Sequence, residues 1–172
     1  MFLDRDGVIN ASIVRDGKPY PPWKLEDFQL LPGVVEACDS LHRAGFVLVV
    51  ATNQPDVGRG DLAQETVEAM HRVMLEQLPI DQVEVCYEPG GGKTSTGFRK
   101  PGPGMLLKAA QDLDLELARS FMVGDRWRDI DCGYAAGCKT IFIDYGYDEE
   151  LRQKPDYRAA NLLGAAQLIL SL

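Results

Sequence analysis

Two aspartates one residue apart, Asp4 and Asp6, follow a short apolar run in the opening stretch MFLDRDGVIN. If Phe2–Leu3 end a buried strand, alternation points both carboxylates the same way and Arg5 the other. Gly7 then lets the chain turn sharply away. Carboxylates held ~4 Å apart repel by roughly 4 kcal/mol at an effective dielectric of 20. A hard divalent cation with oxygen ligands removes that penalty, and Mg²⁺ is the expected ion. Further along stand Thr52 and Asn53, then Arg99 and Lys100, then Asp125 and Asp129. Together these groups suit phosphoryl transfer, which needs in-line positioning and neutralisation of a dianion. One carboxylate would attack phosphorus and form an aspartyl-phosphate. A second would protonate the leaving alkoxide and later deprotonate the attacking water. A lysine and the metal would hold the non-bridging oxygens.

Those groups must be held by a scaffold, and the hydrophobic pattern supplies one. A helix is expected from Leu31-Pro32-Gly33 to about Ala44, with Val34, Cys38 and Leu41 inward and Gly45 just past its end. Phe46–Ala51 is a continuous apolar run, the pattern of a strand buried on both faces of a parallel sheet. A polar turn at Thr52-Asn53-Gln54-Pro55 and a loop at Asp56–Asp61 lead to a helix ending near Leu78. Ala63, Val67, Met70, Met74 and Leu78 keep its spacing. Val83–Tyr87 predicts a third strand, Pro103-Gly104 to Leu113 a helix, Ser120–Val123 a strand, Asp129–Ala136 a short helix and Lys139–Ile143 a fifth strand. Leu162–Leu170 closes the chain as a helix. The proline-rich stretch Arg15–Asp27 predicts an ordered loop near the tip of the first strand. Alternating strands and helices predict an α/β fold, a doubly wound Rossmann-like parallel sheet in one domain over residues 1–172 without a large cap. In such sheets ligands bind beyond the carboxyl ends of the strands, where every polar group above falls.

Composition narrows the partners. The net charge of −8 argues against nucleic acid and against anionic membrane, both of which need a basic face. No apolar run approaches the ~20 residues of a membrane span, and no signal peptide is visible. Cys38, Cys86, Cys132 and Cys138 form no CxxC pair, so buried thiols in a reduced, cytoplasmic setting are expected, in a monomer acting on a small phosphorylated substrate.

The set of motifs resembles the haloacid dehalogenase (HAD) superfamily of phosphatases over nearly the whole chain. DRDGVIN, the Thr of VVATNQ, the Lys of RKPGPGM and VGDRWRD occur in the family's order. The resemblance implies Asp4 as nucleophile, Asp6 as general acid/base, Thr52 as phosphate-orienting hydroxyl and Lys100 as charge stabiliser. It implies a Mg²⁺ site from the Asp4 carboxylate, the Asp6 backbone carbonyl and Asp125, with Asp129 acting behind it. FLDRDGVIN, TNQ, GRG and RKPGPGM further resemble the D-glycero-D-manno-heptose 1,7-bisphosphate phosphatases, whose close relatives are the histidinol-phosphatases. That subgroup serves heptose-nucleotide synthesis. The resemblance places Asn53, Gln54, Arg99 and Arg126 near substrate. Another phosphomonoesterase, or a silent phosphate-binding module, remains the alternative.

One departure is plain. The subgroup commonly carries a zinc loop, CxH…CxC, before RKP. Here the stretch is CYEPGGGKTSTGFRKP: Cys86 survives, but Glu88, Thr96 and Phe98 replace the other ligands. One thiolate makes no four-ligand site, so no structural zinc is expected. Lys93 is a candidate for supplying charge in its place. Gly92-Lys93-Thr94 is no P-loop, since the pattern needs glycine where Tyr87 stands. His42 and His71 are expected as solvated or satisfied helix residues, Trp127 as packing or lining the site mouth, and Asp148–Lys154 as solvated surface.

Overall fold

The computed structural model describes residues 1–90 and 97–172. Its framework is a six-stranded sheet in the order β5-β4-β1-β6-β7-β8, every neighbouring pair parallel. The strands are β1 (Phe2–Leu3), β4 (Val49–Asn53), β5 (Gln82–Cys86), β6 (Phe121–Gly124), β7 (Lys139–Ile143) and β8 (Tyr157–Ala159). β2 (Ile13–Arg15) and β3 (Lys18–Tyr20) form a separate antiparallel hairpin.

Central strands buried on both faces send alternate side chains to two separate cores. Leu3, Val50 and Val123 point to one side, covered by α1 (Val34–Arg43), α3 (Gln64–Gln77) and α6 (Leu162–Leu170). Phe2, Val49, Ala51 and Met122 point to the other, covered by α4 (Gly104–Asp112) and α5 (Trp127–Ala136). Fully burying a Val, Leu, Phe or Met side chain contributes about 1.5–3 kcal/mol relative to exposure. β1, only two residues long, therefore lies in the middle of the sheet with no exposed side chain, tied to β4 and β6. Its brevity brings Asp4 to the carboxyl edge at once.

Several expectations shift. The second strand runs Val49–Asn53, so Thr52 and Asn53 belong to the strand rather than to a turn, each registered against β5. Ladder hydrogen bonds outweigh the polarity of those two residues. The loop expected over Asp56–Asp61 contains a short helix, α2 (Pro55–Arg59), with proline at its first position and Gly60 closing it in the left-handed conformation. The stretch expected as a proline-rich loop holds the β2–β3 hairpin. Asp16 and Gly17 take φ of 49° and 71°, as a tight hairpin turn requires. Pro19 is tolerated because this two-stranded ribbon consists of edges. Ala63 is exposed just before α3, while Val67, Met70, Met74 and Leu78 are buried as spaced. β8 is a sixth strand that the short stretch Tyr157–Ala159 does not announce. No helix among the described residues is long and apolar enough to cross a membrane.

Candidate active site

The carboxyl ends of β1, β4 and β6, with the loop before α4, surround a cavity of about 340 Å³. Asp4, Asp6, Asn53, Lys100, Asp125 and Asp129 all line it. Asp4 leaves β1 with its backbone N–H still donating to Val123 O at 3.0 Å, so the sheet fixes its position. The Arg5 N–H donates to Asp4 Oδ1 at 2.8 Å. Lys100 Nζ lies 2.8 Å from Asp4 Oδ1 and 2.6 Å from Asp129 Oδ1. Asp129 serves twice: its Oδ2 accepts from the Arg126 N–H at 3.1 Å, capping α5.

Two glycines permit this crowding. Gly7 has φ of +89°, and a Cβ there would collide with the Asp125 carboxylate. Gly124 ends β6 where a Cβ would collide with Asp129. Both acids therefore pack against backbone that only glycine leaves open.

Around Lys100 the buried acids outnumber the cation. Oxygens of Asp4, Asp125 and Asp129 lie within 4.8 Å of one another, and all three residues are buried. Burial above all, then the charge of Asp129, pushes the Asp4 carboxyl up to about 7 despite Lys100. Burial, then Asp4 and Asp129, raises Asp125 well above the usual carboxylate range. Both Asp125 oxygens are buried and make no hydrogen bond of good geometry, although the Tyr147 phenol interacts with the carboxylate. Carboxylate oxygens so poorly satisfied, facing two other acids, are the donor set a hard divalent cation takes. Burial likewise raises the nearby Tyr147 phenol, followed by the Asp125 charge.

The other expected residues divide. Thr52 is buried and is not among the residues lining the cavity, and its Oγ1 accepts from Gln54 Nε2 at 3.0 Å. Asn53 lines the cavity while bonding to the backbone of Lys100. Arg99 lines it too, donating to Glu88 O at 2.9 Å. Gln54, expected at the substrate, is only 1% exposed and instead donates to Asp6 Oδ2 at 2.7 Å. Its amide is drawn inward because the Asp6 carboxylate needs donors. Arg5 does not point away from Asp6, as alternation predicted. The chain leaves the extended form after Leu3, and Arg5 O accepts from the N–H groups of Val8, Ile9 and Asn10. The guanidinium then folds back onto Asp6 at 3.0 Å. Arg126 reaches the cavity wall but is held by Glu149, at 2.5 Å and 2.8 Å. Glu149 thus corrects the reading of Asp148–Lys154 as solvated surface throughout. Trp127 stacks with Arg152 at 3.4 Å and Arg128 at 5.0 Å.

Sequence reasoning passed over Arg59 and Arg128, which also line the cavity. Arg59 sits in the quoted GRG, and Arg128 in VGDRWRD; their place within those motifs was the available signal. Cys86 and Phe98, at two of the four zinc-ligand positions, belong to one apolar cluster with Met105 and Leu106. Thr96, Lys93 and the Gly92-Lys93-Thr94 stretch lie outside the described residues.

A parallel sheet with clustered acids and a buried lysine at its carboxyl edge defines a phosphotransferase or phosphohydrolase of the HAD type. A family model described as HAD-hydrolase-like matches residues 97–165. A D-glycero-D-manno-heptose-1,7-bisphosphate 7-phosphatase of Thermosynechococcus vestitus is 37% identical, over 98% of this chain and 94% of that protein. The Escherichia coli D-glycero-beta-D-manno-heptose-1,7-bisphosphate 7-phosphatase is 35% identical, over 81% and 75%. The crystal structure of D,D-heptose 1,7-bisphosphate phosphatase from B. bronchiseptica, complexed with magnesium and phosphate, superposes with a TM-score of 0.80 at 27% identity. That match covers 99% of this chain and 97% of the other. The chain belongs to the HAD-like hydrolases, and within them to the family of the heptose-1,7-bisphosphate 7-phosphatases. It is a phosphoric monoester hydrolase.

Proposed function

We propose that the chain removes the 7-phosphate of D-glycero-D-manno-heptose 1,7-bisphosphate, through an aspartyl-phosphate on Asp4. The observation that carries this reading is the buried set Asp4, Asp125 and Asp129 against Lys100 at the base of the cavity. The named relatives supply the substrate.

In the first step an Asp4 oxygen attacks phosphorus, and the bond from phosphorus to the sugar oxygen breaks. Asp6 gives its proton to that oxygen, so the leaving group departs as an alcohol. In the second step the Asp6 carboxylate takes a proton from water, the water oxygen bonds to phosphorus, and Asp4 is released with inorganic phosphate. Lys100 Nζ, placed beside Asp4, neutralises the transferring oxygens, and the Thr52 hydroxyl orients them. Asp4, Asp125 and the Asp6 backbone carbonyl would hold Mg²⁺, which supplies further positive charge to the phosphoryl group. The poorly satisfied Asp125 oxygens fit that ion. Asp129 steadies Lys100 rather than the substrate. Arg99 faces the distal phosphate or sugar. Structural zinc is not part of this reading.

The test is phosphate release with Mg²⁺ from heptose 1,7-bisphosphate, histidinol phosphate and several hexose phosphates, with Asp4→Asn as blank. Marked preference for the heptose bisphosphate is expected. Comparable slow release from every ester would refute the substrate, and full turnover by Asp4→Asn would refute the nucleophile.

A further inference from the structure

Arg5 separates the two aspartates in sequence, and its side chain has no exposed surface. A guanidinium so deeply buried is costly unless every edge is satisfied. One edge faces Asp6, with Nε 3.3 Å and Nη2 3.0 Å from Oδ1, and Nη2 3.1 Å from Oδ2. The other end, Nη1, lies 3.2 Å from His71 Nε2 on α3. Phe28 covers the group at 5.8 Å.

Chemistry fixes the direction of the His71 contact. Guanidinium nitrogens only donate, so Nε2 accepts and the ring carries its proton on Nδ1. Burial, followed by the Arg5 charge, holds His71 down to about 4, in keeping with a neutral acceptor. Asp6 also accepts from Asn10 Nδ2 at 2.9 Å and from Gln54 Nε2 at 2.7 Å. These two amides are held by local chain and by Thr52. Arg5 is held by His71.

We infer that His71 is a positioning residue for the acid–base step: by accepting from Arg5 Nη1, it fixes the guanidinium that sets the Asp6 carboxylate. This rests on Asp6 acting as the general acid. Without an acceptor, a buried guanidinium donor turns to find another, and the carboxylate it grips turns with it. A shift of about 1 Å in a reacting group costs up to about 10²-fold in rate.

The experiment compares kcat/KM for two esters, which reports events up to departure of the leaving group. A sugar alkoxide needs the proton of Asp6, whereas p-nitrophenolate leaves without one. For His71→Leu, kcat/KM on heptose bisphosphate falls about tenfold, and on p-nitrophenyl phosphate less than about twofold. His71→Gln, whose amide oxygen accepts from Arg5, recovers the sugar ester to within about threefold. Equal losses on both esters, or no loss on either, would overturn the inference. Should His71→Leu not fold, His71→Asn, with an amide too short to reach Arg5, takes its place in the same comparison. Asp6→Asn serves as the control: if it does not discriminate between the esters, the reading of Asp6 itself falls, whatever His71 does.

Discussion

The side chain of Asn53 grips the backbone of Lys100 at both ends. Its Oδ1 accepts from the Lys100 N–H at 3.0 Å, and its Nδ2 donates to the Lys100 carbonyl at 3.0 Å. The last residue of β4 thereby sets the height at which the lysine enters the acidic cluster. Asn53→Asp keeps one acceptor but turns the second oxygen toward the Lys100 carbonyl. The expected result is a loss of about 1–2 kcal/mol in stability and of at least about tenfold in kcat. Thermal melts and steady-state kinetics check both. An unchanged kcat would mean that Lys100 is placed without this clasp.

The unbalanced acids predict a metal-dependent pH response. Asp4 is raised to about 7 and Asp125 well above its ordinary value, both chiefly by burial. Groups with a raised folded pKa hold protons that the unfolded chain releases. Metal-free protein is therefore expected to lose stability as pH rises from the ordinary aspartate value of 3.8 through about 7. Mg²⁺ binding only the folded form reverses this, by about 2.7 kcal/mol at 100 times its Kd. Melting curves in chelator and in Mg²⁺ across that range provide the check, with Asp125→Asn expected to flatten the metal-free slope. A melting temperature indifferent to Mg²⁺ at neutral pH would contradict the site.

Glu149 competes with any anion for Arg126. The pair is bidentate, with side-chain exposures of 23% and 18%, so solvent still screens it. Arg126→Ala is expected to change kcat/KM on the heptose bisphosphate by less than about threefold, whereas Arg99→Ala raises KM about tenfold. Glu149→Gln costs about 1 kcal/mol or less in stability. Kinetics on the same ester distinguish the two arginines. A larger loss from Arg126→Ala would show that substrate displaces Glu149.

Zinc content is the last check. Burial raises the Cys86 thiol above its ordinary range, as suits a protonated thiol packed among apolar neighbours. Phe98 shares an apolar cluster with it. Metal analysis of purified protein is expected to find less than about 0.1 zinc per chain, against a four-ligand site that would hold one. Stoichiometric zinc lost on Cys86→Ser would contradict this.

Much of the scaffold could be derived locally. β7 and α6 follow from predominantly apolar stretches with clear stops, and their bounds agree with the pattern. Asp4 and Asp125 were legible because each stands just beyond a strand, and a parallel sheet brings all strand ends to one edge; Lys100 and Asp129 were legible only through the motifs RKPGPGM and VGDRWRD. The boundaries of β4 were not, because polar Thr52 and Asn53 are kept in the strand by β5, a neighbour in space. The Asp16-Gly17 hairpin turn was local but hidden by the prolines around it.

The roles of individual polar side chains required the tertiary structure. Gln54 reaches Asp6 across 48 positions of sequence, Glu149 reaches Arg126 across 23, and His71 reaches Arg5 across 66. No periodicity encodes such pairs, since each exists only because packing brings two distant elements together. Sequence by itself determined five of the six sheet strands, their carboxyl edge and the type of chemistry placed there. Tertiary structure alone decided which charges are free to meet a ligand and which are already taken by a neighbour, because a buried donor or acceptor must find its partner wherever the fold provides one.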